Sequence, residues 1–332
     1  MDIRDRRGLK ELAARHLAEA PQAKRIILIW AGASALVALL VSLISFLLDT
    51  QIESTGGLSG IGLRSVLETV QSLLSLANVV LAPFWTLGYT ACALRFARKQ
   101  EAQPRNLLEG FRRFGPALRL LVLRYFLYLG LVIGALYLGF TVFSMTPLYL
   151  PVYELMGTAE TALLEGTVTD ALAMEMLRAM VPMFIGCGIL CLAILIPVSY
   201  RLRLADFRIM DEPRCRARVS LRESVRLMHR NCMSLFRLDL SFWWYFLAEL
   251  LAAFLCYGDM VLPLLGISLP MHEDLAFFLF YVLGLAAQVT LLYCVGNRVQ
   301  TTYALFYTTL ADPGQETAPA SPVPAEGPFL QS

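Results

Sequence analysis

The chain has 332 residues, 57% of them hydrophobic and 16% charged, with a formal net charge of +2. Its mean hydropathy of +0.61 excludes a soluble domain of ordinary composition, in which apolar residues make up about half and charged residues about a quarter. The small net charge hides an uneven layout, because nearly all Lys and Arg fall in alternate segments of the chain.

Residues 1–25 carry seven Lys/Arg. Within them, residues 3–20 read as an amphipathic helix. Leu9, Leu12, Ala13, Leu17 and Ala20 form one face, and Arg6, Lys10 and Arg15 lie elsewhere. Such a helix is expected to lie on the inner membrane surface. The first apolar stretch, Ile26–Leu48, exceeds the 7–15 residues of a signal-peptide core, and no A-x-A site follows it. It therefore reads as a retained span. Gly56-Gly57-Leu58-Ser59-Gly60-Ile61-Gly62 comes next. It lacks the Lys-Ser/Thr of a phosphate cradle and reads as a flexible loop.

Val70–Leu94 is the second span. The segment 95–124 holds eight Lys/Arg and a short amphipathic stretch after Pro104: Leu107, Leu108, Phe111 and Phe114, with Arg112 and Arg113. Span three, Tyr125–Met145, contains Gly130-x-x-x-Gly134, a spacing that lets helices approach closely. Packing within the chain and a dimer face both fit it. The acidic loop 146–178 is expected to be helical over 159–178. Span four, Ala179–Ser199, carries Cys187 and Cys191 on one helix face; with no histidine nearby they read as packing residues.

The segment 201–237 has ten Lys/Arg. An amphipathic helix is expected from about Ser220, where Ser220-Leu221-Arg222-Glu223 fits a capping box. Leu221, Val225, Met228 and Leu235 would form its apolar face. Arg214, Arg216, Arg218, Arg222, Arg226 and Arg230 are candidates to bind lipid headgroups or a partner. Spans five and six are Phe242–Tyr257 and Leu275–Val295, with Trp243 and Trp244 as interfacial anchors at the start of the former. Residues 26–310 form the membrane domain. Residues 311–332, with Pro313, Pro319, Pro322, Pro324 and Pro328, read as a disordered Pro-rich tail on the cytoplasmic side.

Each stretch of about 20 apolar residues suffices to cross the ~30 Å hydrocarbon core. The N-terminal segment, 95–124, 201–237 and Arg298 together hold 26 Lys/Arg, and the intervening loops hold only Arg64 and Arg178. The positive-inside rule then places both termini in the cytoplasm. The expected fold is an all-α polytopic membrane bundle of six transmembrane helices with cytoplasmic amphipathic helices. None of the seven cysteines lies in a long outer loop, so no disulfide framework is expected. The pattern of span, basic loop, short amphipathic helix and span occurs twice.

Particular residues resemble a known family. Leu9-Lys10-x-x-Ala13-x-x-x-Leu17 is similar to its opening helix. Ser224-x-x-Leu227-Met228 and Leu235-Phe236-x-Leu238-x-Leu240-Ser241-Phe242 resemble its most distinctive stretch. Thr302-x-Ala304-x-Phe306-Tyr307-x-x-Leu310 resembles its closing motif. The family is domain of unknown function 975, a group of multi-pass bacterial membrane proteins. Arg230 and Asn231 stand where members often carry a Gly-His pair. The resemblance implies the bacterial cytoplasmic (inner) membrane and carries no activity with it.

Within the spans, Glu249 stands out. Insertion of a charge at a helix centre costs about 2.5–3.5 kcal/mol, so such residues face the bundle interior or water. Gln288, about seven residues from the end of span six, is placed to reach a similar depth, and a Glu249–Gln288 hydrogen bond would offset the burial. Glu249 as a proton- or cation-linked site is the alternative, with Asn78 as a further polar candidate. His16, His229 and His272 are scattered, and no H-E-x-x-H, G-x-S-x-G or Walker lysine is present. The expectation is therefore a non-enzymatic protein without metal or cofactor that interacts with anionic lipids or organises the envelope. A small-solute or ion translocator using Glu249 and a membrane subunit of a larger complex are the alternatives. A membrane-protein partner is compatible with all three, and nucleic acid is not expected.

Overall fold

The computed structural model describes residues 5–54, 61–165, 170–212, 214–258 and 273–311. Most of the Gly-rich loop, His272 and nearly all of the Pro-rich tail lie outside them. Every regular element among the described residues is helical. Five helical segments are long and apolar enough to cross a membrane: Ala23–Leu48, Ser65–Ala97, Phe114–Ser144, Met174–Asp211 and Ala276–Ala311. A sixth is formed only if Cys232–Leu240 and Trp243–Cys256, bent by 65° at their junction, count as one span. The expected fifth span, Phe242–Tyr257, is the helix that follows this bend, Trp243–Cys256. That helix has 14 residues, roughly 21 Å at 1.5 Å per residue.

Two compact units divide the chain, one of residues 1–108 and 237–332, the other of 109–236. The first contains α1 (Arg6–Glu19), α2 (Ala23–Ser54), α3 (Ile61–Ala97) and a 3-10 turn at Pro104–Leu108. The second contains α4 (Glu109–Arg112), α5 (Phe114–Ser144), α6 (Leu150–Glu165), α7 (Asp170–Leu202), α8 (Ala205–Asp211) and α9 (Ala217–Met228). Helix α10 (Cys232–Leu240) straddles the second boundary. The first unit then resumes with α11 (Trp243–Cys256), α12 (Glu273–Leu291), a π-helical turn at Leu292–Gly296 and α13 (Asn297–Ala311).

Two expected elements differ. The stretch after Pro104 is a 3-10 turn followed by one α-helical turn, not an amphipathic helix. The helix expected over 159–178 is instead α6, which begins at Leu150, and α7, which begins at Asp170.

The first unit concentrates its core at one end. The C-terminal half of α3 (Phe84, Leu87, Tyr89 and Ala91–Ala97), nearly all of α13 from Val299 to Tyr307, and Leu9 and Ala13 of α1 are buried there. Gly88 is required in this packing, since a Cβ would overlap the Leu107 carbonyl of the 3-10 turn. Trp30 stacks on Tyr89 with centroids 4.6 Å apart, and Trp85 Nε1 donates to the Trp30 carbonyl at 3.1 Å. Helix α1 packs on α13 and α3. Its apolar face is therefore covered by protein, where an uncovered face on the lipid surface was expected.

In the second unit α5 packs on α7, and α9 packs on α5, α7 and α8. The close approach is at Gly139, where a Cβ would meet Cys187. Gly130 and Gly134 face open space, so the G-x-x-x-G spacing does not seat a helix within this chain. Towards the middle of both units, large apolar side chains point outward: Val79, Tyr137 and Ile189 are 68%, 75% and 63% exposed. Continuous apolar surface of this kind is unfavourable in water and is solvated by lipid tails.

Candidate functional site

Helix α9 presents two unlike faces. Ala217, Ser220, Ser224 and Met228 are buried, and the two serines explain how. Ser220 Oγ donates to the Ala205 carbonyl at 2.7 Å, and Ser224 Oγ donates to the Arg201 carbonyl at 2.7 Å. These bonds tie α9 to the ends of α7 and α8. The capping box is therefore corrected: α9 begins at Ala217, its N-cap is Arg216 without a side-chain cap bond, and Ser220 is used for tertiary contact. Of the expected apolar face, Met228 and Leu235 are buried and Val225 is exposed, and Ala217, Ser220 and Ser224 join Met228 in the seam. Small side chains let the helix lie close, and the two hydroxyls satisfy carbonyls that would otherwise be left bare.

The opposite face carries the arginines. Arg214, Arg216, Arg218, Arg222, Arg226 and Arg230 are all exposed. Arg218, Arg222 and Arg226 line one stripe at i,i+4 spacing, while Arg230 falls past the helix end. The acids nearby are engaged elsewhere. Asp206 accepts both its hydrogen bonds from Arg124, at 3.0 and 2.9 Å. Arg208 pairs with Glu212 at 2.7 Å and with Glu223. Arg113 donates to the Ile209 and Met210 carbonyls at 2.9 and 2.7 Å, closing the end of α8. Among the described residues none of the six exposed arginines forms an ion pair.

The intramembrane polar residues are not assembled into a site. Helices α11 and α12 do pack together, and Gly284 of α12 sits against Ala252 and Cys256. That register sets Gln288 at a depth similar to Glu249, but the Gln288 amide reaches back, with Nε2 4.0 Å from Cys256 Sγ. The expected Glu249–Gln288 hydrogen bond is absent, and Glu249 is exposed. Asn78 is half-buried on α3, and among the described residues it bonds to neither of the other two. Trp243 and Trp244 are 59% and 46% exposed, at the bend that opens α11.

The sequence reading missed a buried polar network in the first unit. Tyr303 Oη donates to Asp239 Oδ1 at 2.5 Å. Tyr89 Oη donates to Asn297 Oδ1 at 2.7 Å, and Asn297 Nδ2 donates to the Ala23 carbonyl at 3.4 Å. Lys10 Nζ donates to the Ser241 carbonyl at 2.7 Å and lies 3.8 Å from the centroid of the Phe242 ring. The signal available was the mixed polar–aromatic run Asn297–Tyr307, too polar for lipid and too aromatic for a solvated face. His16 is buried against the end of α3, beside a cavity of about 270 Å³ also lined by Glu19, Lys99 and Gln100. Burial and the Lys99 ammonium lower its pKa, opposed by the Phe96 and Ala97 carbonyls and Glu19.

Long apolar helices clothed in exposed Leu, Val, Ile and Phe, with charge gathered at their ends, define a multi-pass helical membrane protein. Within that class the chain belongs to the family described as Protein of unknown function (DUF975), whose model matches residues 21–312. The matched stretch includes the fifth-span motif and the closing Thr302–Leu310 motif, and starts after α1. No curated protein and no solved structure matches the chain.

Proposed function

We propose that this protein engages anionic phospholipid headgroups through the arginine face of α9 and, in doing so, organises the inner leaflet of a bacterial cytoplasmic membrane without catalysing a reaction. The observation that carries this reading is the division of labour among charges. Asp206 bonds to Arg124, and Glu212 and Glu223 pair with Arg208. Six exposed arginines are left without an ion-pair partner among the described residues. The Ser220 and Ser224 bonds hold α9 so that it presents the same face throughout. A basic residue close to an anionic leaflet contributes about 1 kcal/mol, and salt screens the attraction within about 10 Å at 0.1 M. Several arginines on one fixed face thus enrich anionic lipid at moderate salt. The excess of Lys/Arg on one side of the spans supports a cytoplasmic location for this face and for both termini.

The test is lipid enrichment around the reconstituted protein. All six arginines are replaced by glutamine, and the association of spin-labelled phosphatidylglycerol is compared with that of phosphatidylcholine at low and high salt. The wild type is expected to prefer phosphatidylglycerol, with the preference falling as salt rises, and the variant is expected to lose it. An unchanged preference, with topology also unchanged, overturns the proposal.

A further inference from the structure

We propose that the cavity between the first turns of α1 and the α10–α11 bend is a binding site for a single phosphate group. Asp5, Arg6, Arg7, Lys10 and Ser241 line it, and it is an open cleft of about 500 Å³. The inference extends the lipid-engaging reading to the other unit of the chain and to a discrete site.

Four features point to phosphate. Three cations line the cavity, and a fourth adjoins it, because Arg298 Nε donates to the Lys10 carbonyl at 3.3 Å. Among the described residues none of Arg6, Arg7, Lys10 and Arg298 has an ion-pair partner. Asp5 is the acid in the lining, and its carboxylate already accepts from the Gly8 backbone N–H at 3.1 Å. Lys10 is fixed in place by the Ser241 carbonyl and the Phe242 ring, so one charge is preorganised while the two arginine forks remain free to close on a tetrahedral oxyanion. Burial first, and then the Arg298 and Arg6 guanidiniums, lower the Lys10 pKa. Arginine pairs with phosphate through parallel N–H···O bonds, which a single lysine cannot supply.

The source of the phosphate is either a phospholipid headgroup or a soluble phosphate. The exposed Trp243 and Trp244, two and three residues beyond Ser241, set the cavity at headgroup depth.

The experiment uses the full chain in phosphatidylcholine nanodiscs. One arm adds phosphatidic acid and counts retained lipid by native mass spectrometry. The other titrates inorganic phosphate by calorimetry. Wild type is expected to retain one phosphatidic acid at high salt, or to bind one inorganic phosphate if the source is soluble. R6Q/R7Q, at exposed positions with no ion-pair partner among the described residues, is expected to weaken that binding about tenfold or more. K10M is expected to do the same. R218Q/R222Q/R226Q on α9 is expected to leave it intact. If R6Q/R7Q binds both probes as the wild type does, or if the wild type binds neither, the inference is wrong. Loss in the α9 variant of the general phosphatidylglycerol preference, with no effect of R6Q/R7Q, would sink this inference alone. The converse pattern would sink the α9 reading and leave the cavity standing.

Discussion

Replacing Tyr303 by phenylalanine tests whether the buried polar network carries the fold at the charged end of the bundle. Tyr303 and Asp239 are 2% and 8% exposed, and the phenol donates to the carboxylate at 2.5 Å. The substitution keeps the ring and opens almost no cavity, so the hydrogen bond to the Asp239 carboxylate is the contact it removes. Such bonds contribute about 1.5–3 kcal/mol when both partners are buried. The expected loss is about 2 kcal/mol, or about thirtyfold in the folding equilibrium. Equilibrium unfolding in mixed detergent, followed by tryptophan fluorescence, measures it, with Tyr137→Phe as control because Tyr137 is 75% exposed. The control should stay within about 0.5 kcal/mol of wild type. A double-mutant cycle with Asp239→Asn should give a coupling of about 1 kcal/mol or more. Additive effects, or a Tyr303→Phe protein as stable as the control, would refute the reasoning.

Gly88→Val forces a branched side chain into the Leu107 carbonyl. Overpacking of this kind costs about 1–3 kcal/mol and more where backbone must move, so the variant should unfold earlier in the same assay than Gly130→Val, whose site is open. The docking of α1 should weaken in acid. The pKa of His16 is lowered in the folded state by burial first and by Lys99 second, so the unfolded chain binds the proton more readily. The stabilisation is complete above the ordinary value of about 6.5 and is lost as pH falls through the folded value. Hydrogen exchange of α1 amides, corrected for intrinsic rates, should rise between pH 7.5 and 5, and His16→Gln should remove that pH dependence. Glu249→Gln should change stability by less than about 0.5 kcal/mol, since no hydrogen bond to Gln288 is lost; a larger loss in the unfolding assay would mean that Glu249 is tied into the bundle.

The spans were legible because lipid solvation leaves a one-dimensional signal: a long apolar run needs no knowledge of its neighbours. The positions of the arginines were equally readable, as exposure follows from charge. What the residues could not disclose was side-chain direction. Gly284 seated against Ala252 and Cys256 keeps Glu249 and Gln288 at similar depth, as counting from the span ends gives, but the Gln288 amide reaches toward Cys256 and Glu249 is exposed. The capping-box pattern at Ser220 failed for a related reason. A serine three residues before a glutamate is a local signal, and here Ser220 bonds to Ala205, fifteen residues away, while Glu223 pairs with Arg208. The contact of Lys10 with the Ser241 carbonyl at the bend after Leu240 joins residues 231 positions apart, which no local pattern discloses.

The same physics accounts for where the fold is held together. Lipid tails are as apolar as leucine, so helices in hydrocarbon gain little by hiding apolar side chains from them, and association there rests on close packing and polar contacts. In this chain the apolar helices pair chiefly as α5 with α7 and α11 with α12, and the tight glycine contacts described between them are Gly139 against Cys187, Gly284 against Cys256 and Gly258 against Phe280. The densest burial in the first unit is of Phe84, Tyr89, Phe96, Tyr303, Phe306 and Tyr307, where α3 packs on α13. Span residues can exchange Leu for Ile or Val against lipid, whereas Tyr303 must reach Asp239 and Gly88 must admit Leu107. The rigid end so formed is also what fixes Lys10 against the α10–α11 bend, so the stability of the core and the geometry of the proposed phosphate cavity depend on the same contacts.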